Sequence, residues 1–88
     1  MTAYRRPPGV AVVVGADDVV YAAALPDGPI VVLDGVAAVI WTAACEGPAS
    51  DIADRVASVT DAVPRDIRRE VDAFVADLLR RGLLEPQA

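Results

Sequence analysis

The chain has 88 residues, 55% hydrophobic and 24% charged, with eight Arg, no Lys, no His and a net charge of −5. That length holds one core and no second domain, and the acidic balance opposes non-specific binding to nucleic acid or to an anionic membrane. A single Cys and no His exclude an internal disulfide and the usual zinc, copper and haem ligand sets.

Residues 1–8 read as a loose lead-in, because Arg5-Arg6-Pro7-Pro8 neither packs nor pairs readily. The first predicted strand is Val10 to Val14, followed by a turn at Gly15-Ala16-Asp17-Asp18. A second strand spans Val19 to Leu25, and its flanking turns outweigh three consecutive Ala. Pro26-Asp27-Gly28 is turn chemistry, since Pro presets φ, Asp bonds its own backbone and Gly accepts positive φ. The third strand is Ile30 to Leu33. Short strands and tight turns predict an antiparallel meander in order 1-2-3, with the third strand at an edge. Pro29 agrees, because proline is tolerated at strand starts and on edges.

Asp34-Gly35 then leads into a first helix, about Val36 to Cys45, with Asp34 as its expected N-cap. Ala37, Ile40, Trp41 and Ala44 share one face, and Trp41, the only Trp, is the expected core anchor. A second helix runs about Ala49 to Val59 with a stripe of Ile52, Val56 and Val59. A third begins at Pro64 and carries Ile67, Val71, Phe74, Val75, Leu78 and Leu79 on one side. Arg80 and Arg81 suit its C-terminal dipole, and Gly82 sits where a helix-ending glycine belongs. Leu83-Leu84 return to the core, and Glu85 to Ala88 read as a polar tail. The whole is one α+β domain over residues 1–88, a winged helix-turn-helix in which a three-stranded antiparallel meander precedes three helices.

Catalysis has little to work with. Without His there is no Ser-His-Asp or Cys-His pair, and without Lys no Schiff base. Asp17-Asp18 reads as a solvated turn, and Cys45 as a small hydrophobe buried on an apolar helix. The expectation is a non-enzymatic protein with no cofactor and no metal. No stretch reads as a signal peptide or a membrane span, so a cytoplasmic location is the default.

Two binding readings stand. A winged helix often reads DNA, and Arg65, Arg68 and Arg69 lie on the third helix; Asp66, Glu70 and Asp72 interleave with them, and the chain is acidic. The other reading is strand addition. A free apolar edge is a liability unless covered or used, and an extended peptide can pair with it. A covering helix, or a second copy in a homodimer, serves that edge equally well on these grounds.

Several segments occur in order: Val32-Leu33-Asp34-Gly35 through Ile40-Trp41, Glu46-Gly47, Ile52-Ala53, Val71 through Phe74, Leu78, and Arg81-Gly82-Leu83-Leu84. Together they resemble the PqqD family over about residues 9 to 85. The resemblance implies a winged-helix recognition element for ribosomally made, modified peptides. In that family the precursor's leader adds as a strand to the third strand, lies against the third helix, and is presented to a separate modifying enzyme or leader peptidase. Carried over by position, Ile30, Val31, Val32, Leu33 and Asp34 supply the strand edge. Arg68, Asp72, Val75 and Leu79 form the helical wall, with Arg65 and Arg69 beside it for acidic leader side chains. Val75 and Leu79 can equally be core residues, since the two stripes adjoin. Asp34 stands where the family usually has Asn. The acidic segment of quinone-pathway members near the second strand is reduced to Pro26-Asp27-Gly28, which points to a lasso-type or other peptide pathway.

Overall fold

A computed structural model describes residues 3–87. Five strands and three helices follow in order: β1 (Ala3–Arg5), β2 (Val10–Val14), β3 (Val20–Ala24), β4 (Val31–Leu33), α1 (Val36–Glu46), α2 (Ile52–Thr60), α3 (Pro64–Arg80) and β5 (Glu85–Gln87). One sheet has order β2-β3-β4, antiparallel throughout, so the expected meander forms and its last strand lies at an edge. A 3-10 turn at Ala49–Asp51 leads into α2.

The ends of the described chain differ from the loose tails expected of them. β1 pairs with β5 in a second, two-stranded sheet, matching Ala3 with Gln87 and Arg5 with Glu85. Arg5 and Glu85 also form an ion pair at 3.3 Å. Pro7 and Pro8 fall between β1 and β2, where no ladder hydrogen bond is required of them.

The turns work by the chemistry of their residues. Gly15 donates its N–H to the Val19 carbonyl at 2.8 Å, closing the first hairpin. Gly28 donates to the Ala24 carbonyl at 2.7 Å, and a Cβ there would lie 2.3 Å from that oxygen. No larger residue fits this corner. At the strand-to-helix junction the left-handed residue is Gly35, with φ 55°, and it takes the N-cap position. Asp34 is therefore not the cap. It lies one residue too early, and α1 starts without a side-chain cap bond; the Asp34 carbonyl instead accepts the Ala37 N–H at 3.1 Å. At the end of α3, Gly82 has φ 75°, its N–H reaches the Leu79 carbonyl, and the Leu83 N–H reaches that of Leu78. This paired closure turns Leu83 and Leu84 back into the core.

The core lies between the inner sheet face and the three helices. Val10, Val20, Ala22 and Leu33 meet Ile40, Trp41 and Ala44 of α1, Ile52 and Val56 of α2, and Val71, Val75 and Leu78 of α3. Trp41 is buried, as its position on the α1 stripe implies. Val59 departs from its predicted stripe and is exposed, while Ala53 and Ala57 are buried instead. Cys45 is exposed, not buried: it shares the helical face of Ala38 and Trp41 but lies at the very end of α1, next to the last helical residue, Glu46. Arg55 on α2 folds back on the end of α1, where its guanidinium donates to the carbonyls of Ala43 at 2.5 Å and Pro48 at 3.3 Å. The Ala43 carbonyl lies in the last turn of α1, where intrahelical donors run out, so a cation is favoured there, and Pro48 follows just past the helix end.

Candidate peptide-binding edge

The orientation of the β4 backbone follows from its neighbours. Gly15 bonds to Val19, and the Leu25 N–H bonds to the Gly9 carbonyl, both at 2.8 Å. In the β2–β3 register these are opposed pairs, with Val13 opposite Tyr21 and Ala11 opposite Ala23 between them. Hydrogen-bonded and non-bonded pairs alternate along an antiparallel ladder. Tyr21 and Ala23 thus bond to β2, while Val20 and Ala22 turn their backbone groups toward β4. Val31 opposes Ala22 and Leu33 opposes Val20, so both bond inward. Val32, opposite Tyr21, directs its N–H and C=O away from the sheet, into the open edge.

Beside that edge lies a trough. Val31, Val32, Leu33 and Ala37 form one side, and Phe74, Asp77 and Leu78 of α3 with Arg81 just past its end form the other, about 200 Å³ in volume. A second hollow of about 250 Å³, lined by Ala24, Gly28, Pro29, Val31, Arg81 and Leu83, continues it past the start of β4. Val31 and Arg81 belong to both, so the two make one path along the edge. The walls are apolar below and charged at the rim. Asp77 accepts from Arg81 Nε at 2.7 Å and is also bonded by Arg80. These two guanidinium groups hold its carboxyl below the usual aspartate range.

The sequence-predicted site residues divide between places. Val31, Val32 and Leu33 form β4; Ile30 and Asp34 flank it and are exposed. Asp72, Val75 and Leu79 do not share the trough with them. They line another cleft of about 200 Å³ with Tyr4, Ala49, Ile52 and Ala76, on the flank of α3 that faces the β1 end of the chain. Val75 is buried in the core. Arg68 lies 3.9 Å from Asp54 on α2, and Arg65 3.9 Å from its neighbour Asp66. Arg69 is exposed near the start of the same helix. The residues facing β4 from α3 and its C-cap are Phe74, Asp77, Leu78 and Arg81, spaced i, i+3, i+4, i+7. That stripe is visible in the sequence as a helical face, but nothing in the pattern distinguishes it from the stripe on the opposite flank.

The exposed Cys45 thiol is raised in pKa, chiefly by desolvation, with Arg6 opposing and Glu46 adding to the shift. A raised thiol is a weak nucleophile at neutral pH. Among the described residues, no group of three or more His, Cys, Asp or Glu is placed to hold a metal ion. No helix among them is long and apolar enough to cross a membrane.

No curated protein and no solved structure shows a significant match to the chain. The family described as coenzyme PQQ synthesis protein D (PqqD) matches residues 12–84, a span that runs from within β2 to the last core leucine and takes in the whole β4–α3 trough. The chain belongs to the PqqD family.

Proposed function

We propose that this protein binds the leader segment of a ribosomally synthesised precursor peptide and presents it to a separate modifying enzyme or leader peptidase. Family membership supports the general role in precursor-peptide recognition. The observation that carries the mechanism is the free β4 edge, with the Val32 backbone groups turned outward above the trough against α3. An extended leader adds there as a fourth strand. Its backbone pairs with Val32, and alternate side chains drop between Leu33, Phe74 and Leu78. Arg81, at the rim of both hollows, meets an acidic leader side chain. The domain contributes no chemistry of its own. It serves in the cytoplasm, in a lasso-type or other modified-peptide pathway.

The test is isothermal titration of the purified protein with a synthetic leader, taken from the precursor encoded in the same gene cluster. Saturable one-to-one binding that is lost on Arg81→Glu, but kept on Asp72→Arg, supports the β4–α3 trough. Binding insensitive to Arg81→Glu and lost on Asp72→Arg moves the peptide to the other flank of α3.

A further inference from the structure

Among the described residues, the outer face of the β2-β3-β4 sheet has no polar cover. An antiparallel sheet with one face in water ordinarily alternates apolar inward and polar outward. Here the strands read VAVVV, VYAAA and VVL, apolar on both faces. Val13, Tyr21 and Val32 stand directly opposite one another in a row across all three strands. Leu25 and Ile30 extend the patch, and the five are between 42% and 72% exposed. A contiguous apolar face of this kind on a small domain marks an interaction surface.

Both ends of the patch, where the strands turn, are acidic. Asp17 and Asp18 occupy the β2–β3 hairpin, and Asp34 follows β4 at the same end of the sheet; Asp27 lies in the turn at the other end. All four are exposed. A second copy stacked face to face with its strands aligned, in either direction, sets carboxylates against carboxylates at both ends of the sheet, and like charges across an interface are costly. The complementary partner is a protein whose own patch is apolar at its centre and bordered by Arg or Lys.

We propose that this outer face is the docking surface for the enzyme that acts on the bound peptide. The inference rests on the strand-addition reading in one respect. A leader added beside β4 directs every second side chain onto this same face, next to Val32. An enzyme seated on Val13, Tyr21 and Val32 thus touches carrier and leader at once, and recognises the loaded carrier more tightly than the empty one.

The experiment uses the full chain, the purified processing enzyme from the same gene cluster, and the synthetic leader. Val13→Lys places a cation at the β2 end of the apolar row without disturbing the core, since Val13 is 63% exposed. Asp17→Asn with Asp18→Asn removes rim charge, and Asn tolerates the left-handed backbone that Asp18 adopts. Leader affinity is read by titration calorimetry and enzyme affinity by biolayer interferometry. Val13→Lys is expected to weaken the enzyme about tenfold or more while leader affinity is unchanged. The double Asn variant is expected to weaken it several-fold at low salt, a difference that closes at about 0.5 M salt. Enzyme binding by Val13→Lys at wild-type strength overturns the proposal. So does sedimentation showing a wild-type dimer that Val13→Lys makes monomeric, which assigns the face to a second copy. A wild-type chain that binds the enzyme but not the leader overturns the strand-addition reading and leaves the docking face standing.

Discussion

Replacing Val32 by Pro separates the free edge from the fold. The Val32 N–H points away from β3, so its loss removes no bond of the sheet. The fixed φ of proline suits an edge strand, and Val31 before it is already extended, as proline requires of its predecessor. A bound leader, however, loses one donor, keeps an unsatisfied carbonyl, and meets the pyrrolidine ring where the N–H had been. A lost hydrogen bond is worth roughly 0.5–1.5 kcal/mol, and an orphaned buried acceptor roughly 1–3 kcal/mol. The sum of about 1.5–4.5 kcal/mol is roughly a 10- to 2,000-fold loss of affinity. Val31→Pro is the counterpart, because it removes an inward N–H and destabilises the sheet itself. Calorimetry with the synthetic leader reads the affinity, and circular dichroism with a thermal melt reads the fold. A Val32→Pro protein that melts like wild type and binds the leader equally well refutes the strand-addition geometry.

Other consequences follow from the same packing. Leu78 is almost fully buried beneath the trough, so Leu78→Ala is expected to cost about 2–5 kcal/mol in urea unfolding. Gly28→Ala forces a Cβ onto the Ala24 carbonyl; a destabilisation of roughly 1–3 kcal/mol should appear in the same assay, together with weaker leader binding as the start of β4 shifts. Arg55→Ala removes the guanidinium donor from the Ala43 carbonyl, while the Pro48 carbonyl keeps only the Asp51 N–H, and should lower stability by about 1–3 kcal/mol. Asp77 is held below its ordinary pKa by Arg81 and Arg80, so its contribution to stability is present above the unfolded aspartate value and is lost as pH falls through the lower folded value. Urea midpoints of wild type and Asp77→Asn should therefore converge on acidification, and a constant gap across that range contradicts the assignment.

Much of the fold is legible in the sequence because the turns carry their own chemistry. Gly15 through Asp18, Pro26 through Gly28, and Gly82 each sit where the chain reverses or a helix ends. The edge position of Val31 to Leu33 follows from the meander that those turns impose. What the sequence hides is non-local or a matter of phase. Pairing of β1 with β5 joins the two ends of the described chain, and a segment containing Arg5, Arg6 and two prolines gives no local sign of it. On α3 the core stripe has two flanks, one carrying Asp77 and Arg81, the other Asp72 and Leu79. Helical periodicity treats them alike; only the packing of α3 against β4 selects the first. The cap of α1 shows a similar competition, since Asp34 has the better capping side chain but only Gly35 adopts the left-handed turn without strain.

The central claim is that the leader pairs with the outward backbone of Val32. Amide hydrogen exchange read residue by residue in NMR spectra tests it directly. In the free protein the Val32 amide should exchange quickly, while those of Val31 and Leu33, bonded to β3, are protected. At saturating synthetic leader, the Val32 amide should become protected to a level comparable with its neighbours. A Val32 amide that still exchanges at its free rate, with leader demonstrably bound, contradicts the account.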